Sequence, residues 1–276
     1  MHYIEFPALG LHFNISPVAI SIGGIDIYWY GIIISMAVFL GFFLATKKST
    51  AFGYTKDDVV NMLTISIPSA IVGARLYYVI FNSQLFKDNL FSIFNIRTGG
   101  LAIYGGIIGA MLAIYAYCRY KGYKFLNFMD VFIPYLALGQ SIGRWGNFTN
   151  QEAFGTNTKL FIGMTGDLIK KEVGYLEQTG LKISSDIPVH PTFLYESVAN
   201  MIIFLILVRL RKNNKLDGNV LCTYMILYGI SRFFIEGLRI DSLMFKGLRI
   251  SQVLSAVIVV AFLSLRFLLE RIKRQE

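Results

Sequence analysis

The sequence predicts an all-α polytopic membrane protein. Seven transmembrane helices and a small extracytoplasmic head are expected, with the N-terminus outside and the C-terminus inside. Three observations carry that prediction. The chain is 55% hydrophobic and 16% charged, with a mean hydropathy of +0.56, whereas ordinary soluble domains carry roughly 25% charged residues. Its apolar residues gather into seven runs, each close to the ~20 residues that cross ~30 Å of hydrocarbon. Lysine and arginine crowd the connections on one side, which sets orientation.

In chain order, residues 1–27 form an extracytoplasmic arm. Weak alternation in Leu11-His12-Phe13-Asn14-Ile15 and Ile20-Ser21-Ile22, with a turn at Gly23-Gly24, predicts short interfacial strands or a surface segment. Residues 28–143 carry spans one to four, near Tyr28–Thr46, Val59–Phe81, Gly99–Cys118 and Phe128–Gly143. Residues 144–190 are polar and turn-rich and form the head. Residues 191–276 carry spans five to seven, near Pro191–Leu210, Gly218–Leu238 and Ile250–Leu269, and a cytoplasmic tail.

The inside connections hold Lys47, Lys48 and Lys56, then Arg119, Lys121 and Lys124, then Arg209, Arg211, Lys212 and Lys215; the tail adds Arg266, Arg271, Lys273 and Arg274. This asymmetry and anionic lipid headgroups account for the net charge of +9 better than a nucleic-acid partner does. Cys118 and Cys222 are far apart in or beside apolar runs and read as buried, unreactive thiols. The first 20 residues lack the basic start and continuous apolar core of a cleaved signal peptide. No cofactor is called for, and no metal-ligand cluster is present to suggest one.

Charge is costly inside apolar spans, so the exceptions mark a site. The run Gly143-Arg144-Trp145-Gly146-Asn147-Phe148-Thr149-Asn150-Gln151-Glu152-Ala153-Phe154-Gly155 follows the fourth span without a break. Span two carries Arg75 in Gly73-Ala74-Arg75, and span three opens Thr98-Gly99-Gly100-Leu101-Ala102-Ile103-Tyr104-Gly105-Gly106. His190-Pro191-Thr192 leads into span five, with Glu196 just over one turn inside the apolar run. In span six Tyr228, Arg232, Glu236 and Arg239 fall within a sector of about 80° at 100° per residue. Arg232 and Glu236 are spaced to pair, and Arg239 suits snorkelling at a helix end. Tyr30 follows Trp29 in the aromatic start of span one. Convergence of Tyr30, Arg75, Tyr104, Arg144, Glu152, Glu196, Arg232 and Glu236 at one depth suits an anionic phospholipid, because an arginine fork binds phosphate bidentately.

These residues resemble a known family, the phosphatidylglycerol–prolipoprotein diacylglyceryl transferases. The thirteen-residue run carries the resemblance most specifically. Gly73-Ala74-Arg75, Gly99-Gly100 with Tyr104-Gly105-Gly106, His190-Pro191-Thr192 with Leu194-Tyr195-Glu196, and Tyr228-Gly229 with Arg232-Phe233 and Glu236 follow in the family's order. The resemblance implies a bacterial plasma (inner) membrane enzyme whose active site faces the extracytoplasmic side. It would move the diacylglyceryl group of phosphatidylglycerol onto the thiol of the signal-motif Cys of a prolipoprotein. A thioether forms and glycerol phosphate leaves, the first step of lipoprotein maturation. The partners implied are phosphatidylglycerol, prolipoprotein signal peptides and membrane lipids.

The catalytic set expected is Arg144, Arg232, Tyr104, Glu152 and Glu236. Phosphatidylglycerol would be held by Arg144, Asn147, Tyr30, Tyr228, Arg75, Gly155 and Glu196. Glu152 and Glu236 are expected to orient the two arginines, and the motif glycines to let backbone approach a headgroup. Many family members carry His where this chain has Tyr104; a phenol with a reference pKa near ~10 suits hydrogen bonding rather than base catalysis at neutral pH. Two other readings start from the same residues, a non-catalytic anionic-phospholipid-binding membrane protein and a transporter. The lack of an internal repeat weighs against the second.

Overall fold

A computed structural model describes residues 2–87, 89–96, 99–245 and 247–275. Thr98, which opens the glycine-rich start of span three, lies outside them. Long helices occupy the expected apolar runs: α1 (Trp29–Ser49), α2 (Lys56–Phe81), α3 (Ile103–Lys121), α4 (Phe125–Asn150), α6 (Thr192–Lys212), α7 (Asn219–Glu236) and α8 (Ile250–Gln275). A short helix, α5 (Asp167–Gln178), lies between α4 and α6. Among the described residues α1, α2, α4, α6 and α8 are long and apolar enough to cross a membrane. Helices α3 and α7 are shorter, at 19 and 18 residues, and their glycines, tyrosines and charged residues dilute their apolarity.

The chain is mostly helical but not all-α: the short strands expected of the N-terminal arm form, and strands in the head and before α8 depart from expectation. Strands β1 (His2–Phe6), β2 (Leu11–Ile15), β3 (Val18–Ile22) and β4 (Ile25–Tyr28) build the N-terminal arm. β1 pairs antiparallel with β2, Ile4 opposite Phe13, and with β5 (Thr165–Gly166) from the head. β3 and β4 close a hairpin over Gly23 and Gly24, whose φ of 58° and 84° are the positive values a two-residue hairpin turn needs. β6 (Met244–Phe245) and β7 (Leu248–Arg249) form a small hairpin before α8.

The second departure is in α4, expected to stop near Gly143. It continues to Asn150, so Arg144 lies within the helix. Nothing in Arg144–Asn150 breaks it, and the helix ends where Gln151 turns to φ 54°.

The chain forms two compact units, Met1–Gly41 with Phe132–Glu276, and Phe42–Val131. In the second, α2 and α3 pack backbone to backbone. A Cβ on Gly105 would lie 2.9 Å from the Gly73 carbonyl carbon, and one on Gly109 would lie 3.2 Å from Gly73 Cα. Small residues let membrane helices approach this closely. A capping box of Thr55 and Asp58 starts α2. The fully buried Asp58 carboxylate also accepts from Tyr117 (2.6 Å) and Tyr123 (3.0 Å), so every element of that corner is fixed by one acid.

The first unit holds the head. Ile4 and Phe6 of β1, Met164, and Ile169 and Val173 of α5 bury against Phe148 of α4 and Phe193 of α6. The head core therefore continues into the helix ends that carry the motif residues.

Candidate active site

Five buried or half-buried ions meet where α4, α6 and the end of α7 come together within the first unit. Glu196, 3% exposed, sits at their centre. Its Oε1 accepts from Arg232 Nη1 at 3.0 Å and Arg239 Nη1 at 3.2 Å. Its Oε2 lies 2.6 Å from Arg144 Nη2, an ion contact without aligned hydrogen-bond geometry. Arg232 Nη2 also reaches Glu236 Oε2 at 2.6 Å, the i,i+4 pair that the spacing predicts. Buried charges survive when paired this closely.

Arg144, expected to pair with Glu152 or Glu236, pairs with Glu196 instead. Glu152 does not touch it; Glu152 Oε1 accepts from Asn147 Nδ2 at 2.9 Å and Asn150 Nδ2 at 3.3 Å. Asn147 is one turn beyond Arg144 on α4, and its Oδ1 takes a long 3.5 Å bond from Arg144 Nη1. Glu152 thus acts on Arg144 through Asn147. The reason is backbone: Gln151 and Ala153 hold φ of 54° and 56°, folding the chain back so that Glu152 N donates to Asn147 O. Positive φ at non-glycine residues is uncommon and gathers at functional sites.

Gln151 then anchors the turn. Its Nε2 donates to Tyr3 O and Asp167 Oδ1, and its Oε1 accepts from the backbone N–H groups of Leu168 and Ile169. It caps α5 from another segment, a role no local sequence pattern announces. Asp167 also pairs with His2 at 2.5 Å. Burial alone would raise the Asp167 pKa, but the His2 and Gln151 hydrogen bonds outweigh it and hold it below the usual value.

Arg239 is a further correction. It lies beyond α7, which ends at Glu236, and it does not snorkel. It is 9% exposed and bonds Asp241 at 2.9 and 2.5 Å as well as Glu196. Burial disfavours its charge, but Asp241 and the two glutamates more than restore it. Asp241, correspondingly, is raised by burial and lowered further by Arg239, so it stays ionised. Arg249 donates to the Glu236 carbonyl and closes the end of α7.

Neighbouring chain packs closely on Gly143, Gly146 and Gly155 of the motif. A Cβ on Gly146 would lie 2.5 Å from the Tyr30 ring, and one on Gly143 would lie 3.0 Å from Ile34 Cδ1. The face of α1 bearing Tyr30 and Ile34 therefore lies on α4, placing Tyr30 beside the motif. Gly155 is enclosed too: a Cβ there would meet Leu238 O at 2.8 Å and His190 Cβ at 2.9 Å. It belongs to a backbone tie in which Gly155 N donates to His190 O and Thr156 N to Leu238 O. His190 Nδ1 faces Tyr195 Oη at 3.0 Å, and burial lowers its pKa, keeping the imidazole neutral near pH 7. Tyr228 stacks on Tyr224 with ring centroids 5.6 Å apart.

Arg75 and Tyr104 belong to the second unit. Arg75 has no donor left for a phosphate. Nε bonds Ile93 O, Nη1 bonds Gly99 O and Gly100 O, and Nη2 bonds Ser92 O and Asn95 O, all at 2.7–3.1 Å. Tyr104 is 45% exposed at the start of α3, its ring tilted against Tyr77. Among the described residues no group of His, Cys, Asp and Glu could hold a metal ion.

The buried arginine–glutamate cluster and the folded-back motif lie within the part of the chain that matches a known family. The family model described as prolipoprotein diacylglyceryl transferase matches residues 17–268. The chain belongs to that family. It is 47% identical to a phosphatidylglycerol–prolipoprotein diacylglyceryl transferase of Finegoldia magna over 262 residues, covering 94% of this chain and 98% of the relative. Proteins of the same name from Clostridium botulinum and Clostridioides difficile are 45% and 46% identical. They cover 95% and 88% of this chain and 99% and 91% of their own lengths.

Proposed function

We propose that this transferase moves a diacylglyceryl group from phosphatidylglycerol to the signal-motif Cys thiol of a prolipoprotein, with Arg144 and Arg232 as the phosphate clamp. One observation carries the clamp. The side chains of Glu196 and Glu236 are only 3% exposed, whereas those of Arg144 and Arg232 keep 24% and 20%. The acids are sealed behind the guanidiniums, so the accessible edge of the cluster is positive. A guanidinium offers five donors; the contacts of Arg144 with Glu196 and Asn147, and of Arg232 with Glu196 and Glu236, leave others for a ligand.

The reaction follows from that edge. The substrate thiolate attacks the glyceryl carbon, a C–S bond forms, and the C–O bond to phosphate breaks. Charge grows on the departing phosphate oxygen, where a fixed cationic clamp is most effective. The same cations favour the thiolate over a thiol whose free pKa is near ~8.5. Asn147 orders Arg144 and offers hydrogen bonds, while Glu152 fixes Asn147. Tyr30, set on Gly146, supplies a phenol at the same place. Glu196 and Glu236 orient the arginines. Tyr104 acts as a hydrogen-bonding group; Tyr104→Phe then retains turnover within about tenfold, and abolished turnover with intact lipid binding gives Tyr104 a direct part.

The wider placement belongs to the same proposal: seven transmembrane helices, the N-terminus outside, the cluster facing the extracytoplasmic side of the bacterial plasma membrane. The one-sided lysines and arginines support it. The deciding experiment combines the purified protein with phosphatidylglycerol and a Cys-containing signal-motif peptide. The peptide should gain the mass of one diacylglyceryl group, with glycerol phosphate released. An unchanged peptide mass with correctly folded protein overturns the proposal.

A further inference from the structure

At the far end of α6, α7 and α8 from Glu196 lies a cavity of about 590 Å³. The rise along α6 from Glu196 to Arg209 is about 20 Å at 1.5 Å per residue, so one headgroup cannot occupy both places. The cavity is lined by Arg209, Lys215 and Lys273, with Glu270 as its acidic residue. Glu270 is held by Arg266 at 3.2 Å. Lys273 spends one donor on the Lys215 carbonyl and has two more. The wall is therefore cationic with donors to spare.

A second observation is independent of charge. Asn219 also lines the cavity and is only 9% exposed. Its Nδ2 donates to Asn214 Oδ1 at 3.1 Å, which fixes the amide with Oδ1 as the remaining group. That oxygen has no donor among the described residues and essentially no accessible surface, so a ligand in the cavity meets it only once the amide turns slightly outward. Buried polar groups are normally satisfied, by protein, water or ligand. Phosphate cannot satisfy an acceptor; a hydroxyl can. An ammonium headgroup would bring a donor but would be repelled by three cations.

We infer that this cavity binds the headgroup of an anionic, hydroxyl-bearing glycerophospholipid, at a second lipid site remote from the arginine cluster. The phosphodiester lies on Arg209, Lys215 and Lys273, and a headgroup hydroxyl donates to Asn219 Oδ1. Acyl chains run along the apolar surface of α6 and α8. The inference rests on the membrane reading given above and not on the transferase chemistry, so the two fail separately.

The test is photolabelling of the full-length protein in phosphatidylcholine nanodiscs. Photoactivatable phosphatidylglycerol is compared with photoactivatable phosphatidylcholine at equal mole fraction, and labelled peptides are mapped by mass spectrometry. The anionic probe should label the segments around 206–219 and 270–273 on the order of a hundredfold more than the zwitterionic probe, given three cations at roughly 1 kcal/mol of lipid attraction each. Arg209→Ala/Lys273→Ala should remove that excess while peptide lipidation stays at the native rate, which also reports intact folding. Lys215→Glu, a change in the exposed turn, should do the same should the double variant fold poorly. Arg144→Ala should leave the labelling untouched. Millimolar glycerol 3-phosphate should not displace it; full displacement shows a site for soluble phosphate esters and overturns the lipid assignment. Equal labelling by both probes overturns it as well.

Discussion

Arg75 and Arg144 are both arginines in apolar helices, and both suggest a phosphate ligand when read from sequence. The structure separates them by what neutralises their charge. Arg75 gives all five donors to backbone carbonyls of residues 92–100 and stacks over Phe86 at 5.2 Å. Those acceptors cannot leave without unfolding the segment. Arg144 rests on one carboxylate and one long amide contact, with its outer edge open. A carboxylate is a fair stand-in for a phosphate oxygen, so Arg144 can exchange partners while its helix stays folded. Saturation by backbone makes an arginine structural; pairing with a buried acid keeps it available.

The largest test of that contrast removes the clamp. Arg144→Ala or Arg232→Ala should lower kcat/KM about 10²–10³-fold, the range for deleting one fixed donor at a developing anion. Folding, followed by helical circular dichroism, should persist. Activity within tenfold of native for both variants would place the phosphate elsewhere. Next in size is Glu196→Ala. It leaves three guanidiniums facing one another without their common acid, which costs about 3–5 kcal/mol. The thermal transition in detergent should fall sharply, and phosphatidylglycerol should restore part of the loss by taking the vacated position. An unchanged transition temperature would mean the cluster is not ion-paired in solution.

How much of this was legible beforehand varies with the kind of interaction. Helix positions were, apart from the ends of α4 and α8, which run on past their expected limits, because the apolar runs are long and bounded by basic loops. Four of its five ions were too, since Arg144, Glu196, Arg232 and Glu236 of the cluster are conspicuous in apolar surroundings, whereas Arg239 was read as snorkelling. The pairing was not. Glu152 is near Arg144 in sequence and Glu196 is far, yet the turn at Gln151 and Ala153 sends Glu152 to Asn147 and leaves Arg144 to α6. Partner choice depends on backbone angles that these residues rarely adopt. Arg75 was misleading for a related reason, because its acceptors are main-chain carbonyls and leave no mark in the side-chain sequence. Gln151 and Arg239 were missed as anchors because both reach across segments.

Arg75→Ala sharpens the comparison from the other side. Five carbonyls lose their donor; none of Ser92, Ile93, Asn95, Gly99 and Gly100 is buried, so water replaces much of the bonding and the net cost is about 1 kcal/mol per hydrogen bond at most. Amide hydrogen exchange should speed up between residues 89 and 100, with turnover of the folded fraction within about tenfold of native. Loss of turnover with unchanged exchange in that segment would return Arg75 to the phosphate ligands.

The smallest expected effect lies in the head, at the pair of His2 with Asp167. Asp167 has its pKa lowered by its hydrogen bonds, so the sign is fixed. Its stabilisation is complete above the ordinary unfolded carboxylate value near ~3.9 and is lost as pH falls through the lower folded value. The side chains are 38% and 35% exposed, and solvent screening limits such a pair to at most about 1 kcal/mol. Asp167→Asn should therefore leave lipidation rates unchanged at neutral pH. It should modestly raise hydrogen exchange in α5, and the difference from native should vanish in acid, where the native carboxyl is also neutral. A difference that grew on acidification would show that Gln151, and not the ion pair, sets the strength of this contact, making the head's attachment a property of the folded-back motif itself.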